Sequence, residues 1–335
     1  MYYDSLRAIA ETLELKNVSI LVTGSTGLIG SCLIDVLITA NKEFGTDIKI
    51  YALSRNKERI EHRFGKNVIP VIQDITKSLN KMNEYDFIVH LASNADPVLY
   101  ATKPVETILT NVIGNKNILD YCVEHTNCKM VLASTFEVYG EIEGKCTYSE
   151  DDVSGKIDLT VLRNCYPESK RCSEFLVRSY VDEYNVKAVI ARFPSVYGPT
   201  MSKSDSKAHA QFIRNALNGE NIVLKSKGSQ RRTYCYVIDA VSALLRIIIK
   251  GEIGEIYNIA NEESVASIAE VAETCAEIAN TEVVFDTPDE TESKGFSRTK
   301  DCILDNQKLK NLGWKGKYKL KDGIKETLEY LQTGV

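Results

Sequence analysis

The sequence predicts an α/β chain: a doubly wound parallel sheet with a smaller C-terminal substrate-binding lobe. Three observations predict it. Short runs rich in Val and Ile alternate with helical patterns through the first half. A glycine-rich turn links the first run to a long helix. The alternation gives way to polar, irregular sequence after about residue 195. Strands that are apolar without interruption belong to a sheet covered on both faces.

The elements follow in order. Residues 1–17 read as an amphipathic helix. Strands are expected at 18–24, 48–54, 68–74, 87–93, 129–135 and 187–193, with helices at 27–44, 104–125 and 166–184 between them. Pro167 is tolerated only in a helix's first turn, which puts Tyr166 near the start of the third helix. A polar loop (197–211) comes next, then a helix (210–218), a short strand (222–225) and a turn (226–232). A helix at 239–250 and a strand at 255–261 return to the sheet. A helix (266–280), a strand (282–285), a polar loop (286–300) and a closing helix (321–332) complete the chain.

With 335 residues, 44% hydrophobic and 26% charged, the chain suits one large or two ordinary domains. A net charge of −5 argues against a nucleic-acid partner, which calls for a basic surface. No apolar run reaches the roughly 18–20 residues that span a bilayer. The N-terminus lacks the basic start and apolar core of a signal peptide. No membrane partner and a cytoplasmic location are expected. Nine cysteines without C-x-x-C spacing and four scattered histidines give no metal cluster. Cys165 has no histidine near it in sequence to serve as a base and is read as a thiol without catalytic work.

The first motif is LVTGSTGLIG, residues 21–30. Gly24, Gly27 and Gly30 allow a tight turn, close approach of a pyrophosphate and close helix–strand packing. Backbone N–H groups and the helix dipole then hold the phosphates. The sheet is therefore read as a Rossmann fold, with its ligand crevice at the carboxyl ends of the strands. The expected division is a dinucleotide-binding domain over 1–194, to which 236–260 returns, and a lobe over 195–335 made mainly of 195–235 and 261–335. An acid ending the second strand would hold a ribose 2′-hydroxyl. This chain has Ser54, Arg55, Asn56 and Lys57 there. Arginine suits a 2′-phosphate through forked hydrogen bonds, so NADP is favoured over NAD. Asp74 suits either the adenine edge or a capping role.

The second constellation is LASTFEVYG, residues 132–140. Thr135 and Glu137 share one side if the strand continues, and a hydroxyl and a carboxylate then converge on the crevice. The third is RNCYPESKR, residues 163–171. Tyr166 and Lys170 lie four apart, one turn along one helix face.

Together TGSTGLIG, LASTFEVYG, YPESK and RFPSVYGP resemble the extended short-chain dehydrogenase/reductases. The chain is most similar to their nucleotide-sugar branch of UDP-glucuronate decarboxylases, 4,6-dehydratases and epimerases. HLASNADP (90–97), NVIGNKNIL (111–119) and GSQRRTYCYVIDA (228–240) extend the resemblance over about residues 18–330. It implies that Tyr166 transfers a proton, Lys170 assists it and reaches the nicotinamide ribose, and Thr135 orients the substrate oxygen. A free phenol has a pKa near 10, and a neighbouring ammonium and a positive nicotinamide are expected to lower it. Tyr166 then takes a sugar hydroxyl's proton while hydride passes to the nicotinamide.

The resemblance also implies cofactor contacts from Gly24, Thr26, Gly27, Leu28, Ile29 and Gly30 in the glycine turn, and from Ser54, Arg55, Asp74 and Ile75 after the second and third strands. Leu91, Ala92, Ser93, Asn111 and Phe193 complete the set with Tyr166 and Lys170. Glu137 marks the branches that dehydrate or decarboxylate. Phe136 departs from the acid or serine usual there. Ser195 stands where many relatives carry asparagine, Lys207 where decarboxylases often carry arginine, and Arg232 matches an arginine that contacts nucleotide or sugar. These three are the implied substrate contacts.

The expected activity is oxidation of a nucleotide sugar at C4, followed by decarboxylation or dehydration. An epimerase or an NADPH-linked keto-sugar reductase is the alternative. A non-catalytic dinucleotide sensor would need the glycine turn but not Thr135, Tyr166 and Lys170 together. The implied setting is polysaccharide biosynthesis. A homodimer is expected through helices 104–125 and 166–184, because Val105, Ile108, Val112, Ile113, Ile118 and Leu119 spread apolar surface over a wide arc.

Overall fold

The computed structural model describes residues 2–80, 82–153, 155–296 and 301–333. The first half runs α1 (Tyr2–Glu11), β1 (Ser19–Thr23), α2 (Leu28–Phe44), β2 (Lys49–Ser54), α3 (Lys57–Phe64), β3 (Ile69–Ile72), β4 (Phe87–His90), α4 (Pro97–Thr102), α5 (Pro104–Glu124), β5 (Lys129–Thr135), β6 (Thr147–Tyr148), α6 (Cys165–Tyr184) and β7 (Lys187–Phe193). The second half runs β8 (Ser195–Tyr197), α7 (Ala208–Leu217), β9 (Ile222–Leu224), β10 (Arg231–Tyr236), α8 (Val237–Lys250), β11 (Ile256–Asn258), β12 (Val265–Ser267), α9 (Ile268–Ala279), β13 (Val283–Phe285), α10 (Glu290–Gly295), β14 (Ile303–Leu304), α11 (Gln307–Asn311) and α12 (Leu320–Gln332).

Seven strands pair in parallel in the order β11-β7-β5-β4-β1-β2-β3. The order reverses between β1 and β4, and the crevice beyond their carboxyl ends is where a doubly wound sheet takes its ligand. Side chains alternate between the two faces. Ile20 and Val22 of β1 enter the core beneath α2 and α8. Leu21, between them, enters the core that contains Ile118 and Leu119 of α5 and Val177 of α6. Covering both faces explains why these strands read as unbroken apolar runs.

The C-terminal segments add small sheets: β12-β10-β8, β13 with β9, and β14 with β6. Here the sequence reading needs correction. The turn expected at 226–232 ends in β10, whose residues are buried on both sides after Arg231, so no alternation announces a strand. The polar loop at 286–300 contains α10, closed by a capping box between Asp289 and Glu292, while 297–300 lie outside the described residues. The N-terminal helix stops at Glu11. Helices α3 and α4 have eight and six residues, too short for periodicity to reveal.

Among the described residues no helix is long and apolar enough to cross a membrane. Among the same residues, no cluster of three His, Cys, Asp or Glu side chains could hold a metal.

Candidate active site

The β1–α2 turn is shaped by its glycines. Gly24 has φ +65, and a Cβ there would lie 2.9 Å from the backbone of Leu91 and Ala92. A Cβ on Gly30 would lie 2.4 Å from the Gly24 carbonyl oxygen. No side chain caps α2 at Gly27, so the first N–H groups of the helix, from Leu28 and Ile29 onward, face the crevice uncapped. This cradle suits a pyrophosphate. Thr26 lies in the turn. Opposite it, the N–H groups of Leu91 and Ala92 both donate to Thr23 Oγ1 at 3.1 Å.

At one end of the crevice, Ser54 ends β2 and its Oγ accepts from Asn56 N. Arg55 is 69% exposed and lies 3.7 Å from Glu106 of α5. Asp74 makes capping contacts: its Oδ1 accepts from Thr76 N at 2.9 Å and from Thr76 Oγ1 at 2.8 Å, which holds its carboxyl below the usual range. Ile75 is buried beside Gly114 of α5. At the other end, Ser93 Oγ donates to Asn111 Oδ1, and Asn111 Nδ2 donates to Ser169 Oγ on α6.

Helix α6 is fixed to the sheet beneath this crevice. Glu174 accepts a fork from Arg192 of β7, at 3.0 and 2.7 Å, and a hydrogen bond from Ser134 of β5. Lys170, one turn earlier, donates to the Ala133 carbonyl at 2.9 Å. Burial pushes its ammonium down to about 8, against the pull of Glu174. Phe193 pairs in register with Thr135 at the same end of the sheet.

One expectation changes here, and burial opposes a second. Strand β5 ends at Thr135, and a 3-10 turn over Phe136–Tyr139 follows, with Thr135 Oγ1 accepting from Glu137 N at 3.3 Å. Thr135 and Glu137 therefore meet through a turn and do not alternate along a strand. The protein's own groups, without the nicotinamide, raise the Tyr166 phenol. Burial pushes it above its ordinary value and Glu137 adds to that, while Thr135, Tyr100 and Arg163 act against it. Lys170 turns its ammonium to the backbone, so desolvation decides the sign.

Two residues that sequence reasoning passed over complete the site. Arg163, 4% exposed, holds Glu137 with a fork: Nη1 to Oε2 at 2.7 Å and Nη2 to Oε1 at 3.2 Å. Its Nε is buried without a hydrogen-bond partner. Its guanidinium lies 5.4 Å from the centre of the Tyr100 ring, which in turn stacks on Tyr166. Arg163 belongs to a short turn before α6, and its partner lies 26 residues away, so local pattern could not reveal the pair.

Among the expected substrate residues, Arg232 is buried on β10 with its guanidinium 5.7 Å from the Phe136 ring, close enough for Glu137 to act on its charge. Ser195 begins β8 and pairs with Tyr234. Lys207, at the start of α7, bonds Asp205 at 3.1 Å. The loop before it is tied to α4 by Ser206 Oγ, which donates to Asp96 Oδ1 at 2.7 Å.

Comparison with known proteins agrees with this geometry. Residues 20–260 match the family described as NAD dependent epimerase/dehydratase. UDP-glucuronic acid decarboxylase 3 of Arabidopsis thaliana is 33% identical over 315 residues, 92% of this chain and 87% of that protein. UDP-glucuronic acid decarboxylase 1 of Danio rerio is 31% identical, over 93% of this chain and 72% of that protein. The UDP-glucose 4-epimerase of Thermotoga maritima, solved with UDP-glucose, superposes with a TM-score of 0.80 at 25% identity, covering 94% of this chain and 99% of that one. A dTDP-glucose 4,6-dehydratase from Bacillus anthracis, solved with NAD, shares the fold at a TM-score of 0.77 and 22% identity, over 94% and 97% of the two chains.

Proposed function

We propose that this chain, which belongs to the NAD dependent epimerase/dehydratase family, oxidises a nucleotide-linked uronic acid at C4 and releases its C6 carboxyl group as carbon dioxide. The observation that carries the reading is the meeting of Thr135, Glu137 and Tyr166 at one end of the crevice, with Glu137 acted on by two buried guanidiniums, Arg163 and Arg232. A buried guanidinium beside the Arg163–Glu137 pair is a donor suited to an anionic sugar. The curated decarboxylases that align along most of this chain support the same choice.

A bound nicotinamide dinucleotide supplies the acceptor and later the donor of the C4 hydride. It fits the glycine cradle, the Ser93–Asn111 corner and Lys170 described above. Tyr166 removes the proton of the C4 hydroxyl, with Thr135 orienting that oxygen. With C4 a ketone, the C5–C6 bond breaks, carbon dioxide leaves, and the electron pair remains as the enolate of C4 and C5. Tyr166 donates a hydrogen bond to the enolate oxygen. Glu137 relays a solvent proton to C5, and Tyr166 returns its proton to the C4 oxygen as the hydride is given back to C4.

Dehydration is the second reading, because a carboxylate in this position can equally remove the C5 proton. We further propose NADP over NAD on the strength of Arg55, a homodimer through α5 and α6, and a nucleotide-sugar lobe formed mainly by 195–235 and 261–335. Incubation of the holoenzyme with a panel of nucleotide sugars, read by product mass, tests the reaction.

A further inference from the structure

We propose that Arg163 is a positioning residue: it clamps the Glu137 carboxylate by its short bond to Oε2 and leaves Oε1 as the oxygen that handles the C5 proton. The inference rests on the reaction proposed above and adds the device that aims its second step.

The geometry carries it. The two bonds of the fork are unequal, 2.7 Å to Oε2 and 3.2 Å to Oε1. The shorter is the anchor, because charge-assisted hydrogen bonds strengthen as they shorten. Both partners are shielded, at 4% and 13% side-chain exposure, so solvent screens the attraction little. A glutamate without a clamp samples several rotamers, and every wrong one removes the carboxyl group from reach of C5. The same guanidinium lies over the Tyr100 ring, which stacks on Tyr166. The clamp thus sets Glu137 against the residue that serves the first step. Thr135 fixes the other end of the same turn by accepting from Glu137 N. Backbone and carboxylate of Glu137 are each held, and Oε1 is the least constrained acceptor.

Arg163→Lys keeps the charge and loses the fork, and it separates positioning from bulk structure. In single-turnover experiments with the holoenzyme and a nucleotide-linked uronic acid, nicotinamide absorbance reads C4 oxidation and product mass reads the second step. The expected result is product formation slowed about 100-fold, with C4 oxidation and KM changed less than about threefold. Arg163→Lys combined with Glu137→Gln should be no slower than Glu137→Gln alone. Equal losses in both steps, a rise confined to KM, or losses that multiply in the double variant would overturn the proposal. Thermal melts of the parent, the two single variants and the double variant test the clamp without relying on the reaction. Under the clamp, the double variant melts no lower than the worse single variant. Destabilisations that add would mean that the pair is not coupled. A parent that oxidises no nucleotide sugar refutes the proposed reaction, and the melts still decide the clamp.

Discussion

The rings of Tyr100 and Tyr166 lie parallel, with centroids 4.3 Å apart and planes 11° from one another. Tyr100 comes from α4 and Tyr166 from the first turn of α6, so the stack locks two elements at the site proposed for proton transfer. Stacked aromatic pairs contribute about 0.5–1.5 kcal/mol beyond their burial. Tyr100→Ala should destabilise the protein by about 3 kcal/mol through the cavity it leaves and slow turnover. Tyr100→Phe, which keeps the stack, should retain most stability. Tyr166→Phe should preserve cofactor binding and lower turnover by about 100-fold or more. Denaturation curves and steady-state rates on the three variants check this.

Lys170 is 3% exposed, and burial pushes it down to about 8 from an ordinary value near 10.4. The folded chain therefore binds fewer protons at this group than the unfolded chain between those two values, and stability rises with pH across that window. Below about pH 8 the buried ammonium costs on the order of 3 kcal/mol. Lys170→Met should be more stable than the parent at pH 7.5, and the difference should shrink as pH approaches 9.5. Parallel curves for the two proteins would contradict the assignment.

Much of this was legible in the sequence. Strands β1, β2, β4, β5 and β7 announced themselves because burial on both faces demands unbroken apolar runs. Helices α2, α5 and α6 were long enough to show their period. The glycine turn and the Tyr166–Lys170 spacing are local signals, readable without tertiary information. What escaped depends on distance along the chain or on brevity. Arg163 is defined by Glu137, 26 residues away, and Tyr100 sits in a six-residue helix between two prolines. The turn after Thr135 ended a strand that the alternation of Thr135 and Glu137 had extended. The direction of the Tyr166 shift needed the burial of the phenol, which a sequence does not display.

Arg55→Ala should weaken NADP binding by about ten- to a hundredfold and leave NAD nearly unchanged, because a forked contact to a 2′-phosphate contributes about 1.5–3 kcal/mol. The pair with Glu106 at 3.7 Å does not prevent this. Exposed ion pairs contribute about 0–1 kcal/mol and yield to a phosphate. Glu106→Gln should tighten NADP modestly. Calorimetric titration of both cofactors decides it, and equal losses for NAD and NADP would contradict it.

Helices α5 and α6 carry apolar side chains away from the core. Ile108, Leu109 and Phe175 are exposed, Phe175 at 74%, and Val112 and Ile113 are half-buried. A helix apolar over so wide an arc calls for a partner on its second side, and two-fold pairing is the commonest solution. Light scattering at micromolar concentration should give a dimer mass, and Phe175→Asp a monomer. A monomeric parent would refute the pairing.

Product mass tests the central claim most directly. The holoenzyme, given a nucleotide-linked uronic acid, should yield a nucleotide sugar lighter by about 44 mass units, the loss of carbon dioxide, with no net change in cofactor oxidation state. A loss of about 18 mass units, or an isomer of unchanged mass, would contradict it.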